Sequence, residues 1–152
     1  MSSVLTPEQV LERIPQQEPF RFIDEIVKVD DEGIQAAYTW NPDADFYRGH
    51  FPGNPVTPGV ILIESMAQAG VVAYGIYLYA AEHSAEEVEK LITVFTDAQV
   101  EFSGMVKPGD RVTTTARKTF FRRKKLRCEC EMKLDDGTLV CSGVLSGMGV
   151  PR

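Results

Sequence analysis

The chain has 152 residues, 43% hydrophobic and 25% charged, the proportions of a soluble globular protein able to bury one core. Its net charge of −6 excludes general nucleic-acid affinity, which needs a basic footprint. With only two histidines far apart and three cysteines, two of them on one strand face at Cys128 and Cys130, a metal site is not expected.

Met1 to Thr6 has neither the basic nor the apolar segment of a secretion signal, so a cytoplasmic protein with free thiols is expected. Thr6 reads as the N-cap of a short helix over Pro7–Ile14, with Pro7 at its first position. Phe20–Val29 and Gly33–Trp40 read as strands joined by the polar turn Asp30-Asp31-Glu32-Gly33. Pro42, Gly49, Pro52, Gly53, Pro55, Pro58 and Gly59 then crowd one stretch. That density marks an ordered functional loop, because proline fixes φ and glycine permits close backbone approach.

A long apolar helix follows, with Thr57 as N-cap and Pro58 first, running to about Glu82. Val60–Ala81 has the length of a bilayer span. Glu64, Gln68 and three tyrosines inside it argue for a buried core helix and against membrane insertion. Leu91–Phe102, Asp110–Phe120, Leu126–Leu134 and Thr138–Ser146 read as four strands, with tight connections at Lys107-Pro108-Gly109-Asp110 and Asp135-Asp136-Gly137-Thr138. There is no repeat and no domain break, so residues 1–152 are expected to form one domain.

A helix apolar nearly all round must be wrapped on most sides. The expected class is therefore α+β, an antiparallel β-sheet curled around one long central α-helix. One sheet covers only part of that helix, and the uncovered side predicts pairing with a second copy.

The run Gly49-His50-Phe51-Pro52-Gly53-Asn54-Pro55-Val56-Thr57-Pro58-Gly59-Val60 carries the chemistry. It sets an imidazole in a stiff loop, and fourteen positions after His50 the helix holds its carboxylate, Glu64. These are the two tools for moving protons on and off a small organic substrate. Each also has a structural reading: His50 as a turn residue bonded to a backbone carbonyl, Glu64 as a member of a buried network. His83, in the polar helix end, reads as solvated surface.

This run, with Glu64 and Met66-Ala67-Gln68, resembles the active-site segment of the hot-dog-fold 3-hydroxyacyl-acyl-carrier-protein dehydratases, the FabZ-like group. Pro19-Phe20-Arg21-Phe22-Ile23-Asp24, Phe95-Thr96-Asp97-Ala98 and Val106-Lys107-Pro108-Gly109-Asp110 extend the likeness over nearly the whole chain. The segment Pro15-Gln16-Gln17-Glu18-Pro19 lacks the His-Arg pair that family members commonly carry, which opens a dedicated polyene or secondary-lipid pathway beside primary fatty-acid synthesis. The related bifunctional isomerases place Asp where this chain has Glu64, so isomerase activity is not expected.

The resemblance implies a lyase that removes water from a 3-hydroxyacyl thioester. His50 takes the α-proton and Glu64 protonates the departing hydroxyl. The first helical turn, at the Gly59 or Val60 N–H, is the candidate oxyanion donor, and glycine there lets substrate approach closely. Glu64 must hold a proton near neutrality, a rise of about two units worth roughly 3 kcal/mol, within reach of desolvation. Gln68, one turn on, belongs to the substrate-binding set, where it orients Glu64 or makes a core or dimer hydrogen bond. Phe51, Tyr74 and Tyr77 are candidate tunnel lining. Arg122, Arg123, Lys124 and Lys125 are either a solvated hairpin tip or a landing site for acyl carrier protein, whose phosphopantetheine arm brings the substrate; no other cofactor is implied. The likeness also implies a homodimer or trimer of dimers, with His50 and Glu64 of one site from different subunits, although one chain could bridge the gap. A hot-dog thioesterase and a non-catalytic acyl-binding subunit are the rival readings.

Overall fold

The computed structural model describes residues 4–152. Helix α1 spans Pro7–Glu12 and opens on a complete capping box between Thr6 and Gln9. Strands β1 (Glu25–Val29), β2 (Gly33–Thr39), β3 (Leu91–Phe102), β4 (Arg111–Arg122), β5 (Lys125–Leu134) and β6 (Leu139–Pro151) form one antiparallel sheet in the order β1-β2-β4-β5-β6-β3. The sheet curls around the central helix, which buries Leu62, Met66, Ala69, Val72 and Tyr74. This is the α+β wrapping expected from the apolar helix. The helical stretch Gly59–Ala80 is apolar and long enough to cross a bilayer, but 67% of its apolar window is buried against its own sheet.

That stretch is not one α-helix. It runs as α2 (Gly59–Ala67), a π-helical turn (Gln68–Ala73) and α3 (Tyr74–Ala80). It starts one residue later than expected, because Pro58 takes the N-cap position. Thr57 is instead tied to the loop: its hydroxyl lies 2.6 Å from the Tyr47 hydroxyl, and its N–H donates to Val106 O at 2.8 Å.

The expected strand Phe20–Val29 keeps only its second half. Phe22 N–H donates to Gln68 Oε1 at 2.7 Å, and Phe22 O accepts from Ser65 Oγ at 2.8 Å. Those backbone groups are bonded to helix side chains and cannot join a ladder. Two short elements escaped the sequence reading, a 3-10 turn at Asp45–Arg48 and α4 at Ala85–Glu89, capped by Ser84. His83, before α4, is not on open surface; its ring stacks on Tyr79 at 3.8 Å and Nδ1 meets Tyr79 O at 3.1 Å. Cys128, Cys130 and Cys141 are buried free thiols, and burial pushes all three up, Cys128 to about 12 and Cys141 to about 11.

Candidate active site

The Gly/Pro loop folds back on itself before feeding α2. His50 N–H donates to Phe46 O at 3.0 Å, and Val56 N–H donates to His50 O at 2.9 Å. The His50 ring is held at Nδ1, 2.8 Å from Val56 O. A carbonyl oxygen only accepts, so Nδ1 carries the hydrogen and the neutral ring keeps its lone pair at Nε2. The backbone-carbonyl contact foreseen for a turn histidine is therefore present, and it also prepares the other nitrogen to act as a base. Phe51 stacks on the ring at 4.0 Å and is otherwise exposed.

Four residues into α2 from Val60, Glu64 is half-buried. Burial raises its carboxyl above the ordinary glutamate range, against a smaller lowering by the hydrogen bond from Gln68. That bond, Gln68 Nε2 to Glu64 Oε2, is 2.9 Å. Gln68 is fully buried and otherwise committed, with Nε2 donating to Phe20 O at 2.9 Å and Oε1 accepting from Phe22. It has no exposed atom for a ligand. These bonds agree with the alternative in which Gln68 orients Glu64.

At the start of α2, Ile61 and Leu62 N–H both reach Pro58 O, at 3.0 and 3.1 Å. The Gly59 and Val60 amides have no acceptor among the described residues, and Val60 is 73% exposed. They are the free donors that a helix start presents. The space beside Gly59 differs from expectation. An added Cβ would lie 3.1 Å from Phe102 Cζ, so the glycine admits the Phe102 ring rather than an open approach. Phe102, at the far end of β3, is a site neighbour that no local pattern announced.

Within one chain His50 and Glu64 bond only to their own neighbours, Val56 and Gln68. Tyr74 is fully buried and Tyr77 nearly so, stacked on each other at 6.3 Å in the core. They do not line the apolar cavity beside α3; Tyr79 does. Arg122, Arg123 and Lys124 stand exposed on the β4–β5 hairpin, where Arg123 and Lys124 both take positive φ, 52° and 65°, as a two-residue primed turn requires. The Arg122 and Arg127 guanidinium groups lie 4.9 and 5.6 Å from the Phe120 ring centroid. Among the described residues no cluster of His, Cys, Asp or Glu could hold a metal ion.

A sheet wound around one helix, with a loop histidine feeding a helix that carries a half-buried glutamate, defines the class as a hot-dog protein. The family follows directly: the FabA-like domain matches residues 14–143, and the chain belongs to it. A 3-hydroxyacyl-[acyl-carrier-protein] dehydratase FabZ of Streptococcus equi subsp. zooepidemicus is 36% identical over 141 residues, 91% of this chain and 93% of that protein. The protein of the same name from Streptococcus pneumoniae is 32% identical over 141 residues, 91% of this chain and 94% of that one. Among solved structures, the dehydratase heterocomplex ApeI:P from Xenorhabdus doucetiae shares the fold with a TM-score of 0.73 at 19% identity, covering 99% of this chain and 94% of that one.

Proposed function

We propose that the chain is a 3-hydroxyacyl-[acyl-carrier-protein] dehydratase, working as one domain over residues 1–152. His50 Nε2 removes the α-proton of the 3-hydroxyacyl thioester. Negative charge grows on the thioester oxygen, where the free Gly59 and Val60 amides and the helix start stabilise it. Glu64, whose pKa burial raises, then passes a proton to the leaving hydroxyl, and water departs to leave a trans-2-enoyl thioester. Return of the proton from His50 to Glu64 resets the pair. The steps are redox-neutral and the two side chains carry both proton transfers, so the reading calls for no cofactor beyond the carrier's own arm.

One observation carries this reading most: a histidine whose tautomer is fixed with Nε2 free, in the loop leading straight to a carboxyl whose pKa is raised by burial. The same reading includes acyl carrier protein as partner, met by the exposed Arg122, Arg123 and Lys124 and the partly buried Lys125. It also includes a cytoplasmic homodimer, which can stack further into a trimer of dimers. The exposed apolar edge of β3 supports the pairing, with Val94 at 41% and Phe95 at 44% exposure. Glu64 rather than Asp fits dehydration without isomerisation, and the Gln16-Gln17-Glu18 segment fits a polyene or secondary-lipid pathway beside primary synthesis.

Carrier-bound 3-hydroxyacyl and saturated acyl thioesters, incubated separately with the protein, test the reading. Enoyl product from the first supports it. Free carrier thiol from the second identifies a thioesterase, and no turnover of either identifies a binding subunit.

A further inference from the structure

Gly75 lies near the start of α3, inside the continuous helical stretch, where a glycine weakens helical order and calls for a reason. Crowding is not the reason. At Gly70 an added Cβ would sit 2.9 Å from Cys130 Sγ, but at Gly75 the nearest atoms are Leu126 Cδ2 at 3.9 Å and Thr93 Oγ1 at 4.0 Å. The space there is a cavity of about 40 Å³ with apolar walls from Val71, Ile76, Val88, Leu91, Phe121 and Leu126. A neighbouring recess of about 260 Å³ shares Ile76, Val88, Leu91 and Thr93 with it, but Glu12, Arg13, Glu89 and Arg152 make its outer wall charged, so the hydrocarbon site is the smaller cavity alone. Apart from Thr93 and Lys124 at its margin, the walls of the smaller cavity give a water few hydrogen-bond partners and suit a hydrocarbon.

The seam between the helix and β3 runs from the reaction end to this cavity. Phe102 packs beside Gly59 at one end, and Thr93 faces Gly75 at the other. Eleven residues of helix from Glu64 to Gly75 span about 16 Å. An extended chain advances about 1.2 Å per bond, so the cavity lies roughly a dozen bonds from the reacting carbons.

Resting on the dehydratase reading, we propose that Gly75 is a specificity-determining residue: its missing side chain keeps this cavity open for the distal carbons of long apolar acyl tails. Short acyl groups end before reaching it. A methyl at position 75 fits the empty cavity without displacing its walls, so Gly75→Ala folds and raises Tm by ~2–4 °C or less while taking space from a tail. Gly75→Leu fills the cavity.

The test measures kcat/KM of wild type, Gly75→Ala and Gly75→Leu on carrier-bound 3-hydroxyacyl substrates of increasing length. The ratio of long-chain to short-chain kcat/KM is expected to fall ~10-fold or more in Gly75→Leu and less in Gly75→Ala. The loss should begin near a dozen carbons and appear mainly in KM. Active variants with an unchanged ratio overturn the role of Gly75 alone, and Gly75→Ala decides this even where Gly75→Leu does not fold. A wild type that forms no enoyl product at any length overturns the dehydratase reading and this proposal with it.

Discussion

Burial on a helix whose neighbouring residues are Ile61, Leu62, Ile63 and Met66 shifts Glu64 toward its neutral form. Its folded-state pKa lies above the ordinary glutamate value, so folding favours the protonated form. The stability this brings is complete below the ordinary carboxylate range and is lost as pH rises through the raised value. Glu64→Gln keeps the shape and an acceptor for Gln68 but never ionises. The variant should lose at least ~10²-fold in turnover. At pH 8 it should nevertheless unfold at a higher temperature than wild type, with the advantage shrinking toward pH 5. Thermal unfolding at both pH values checks this, and an equal difference at the two would refute the desolvation account. His50 and Glu64 stood out in the sequence because loop and helix start form one continuous motif. The commitments of Gln68 did not, since its backbone partners Phe20 and Phe22 lie 48 and 46 positions away.

At the scale of elements, the apolar helix and the four later strands were readable from periodicity and turn chemistry, with boundaries off by a few residues. The π-turn over Gln68–Ala73 was not, because no residue type encodes it locally. Nor was the loss of the first half of the Phe20–Val29 strand, which follows from capture of its backbone by Ser65 and Gln68. The helix also contains a test of how context decides a substitution. Alanine in place of glycine favours a helix by ~1 kcal/mol wherever it fits. At Gly70 the new Cβ would meet Cys130 Sγ at 2.9 Å and Ala116 Cβ at 3.0 Å, across the helix–sheet contact. Overpacking of that kind costs ~1–3 kcal/mol, so Gly70→Ala should be destabilising on balance. Gly75→Ala meets no such contact and should stabilise by ~0.5–1 kcal/mol. Urea midpoints of the two variants give the comparison, and a shared sign would show that the packing around the π-turn has been misread.

At the scale of the whole molecule, β3 is a 12-residue edge strand with apolar side chains on show. Long uncovered edges invite pairing with another chain, and this one is blunted by the irregularity between Phe95 and Asp97 and by the exposed Asp97 and Glu101 without being covered. The same edge ends at Phe102 against Gly59, so a second copy docked on β3 would also border the start of the helix. Within one chain His50 and Glu64 each bond to their own neighbours and not to each other. A two-fold pair therefore allows the base of one subunit to serve the acid of its partner. Mixing His50→Ala with Glu64→Ala protein separates shared from private sites. Random exchange puts half the subunits in mixed pairs, and if sites are shared each mixed pair holds one intact and one doubly defective site. Activity should then recover to about a quarter of wild type in a two-fold dimer. If each site is built within one chain, every site in every pair lacks one partner, and verified exchange should leave the mixture as inactive as its parents.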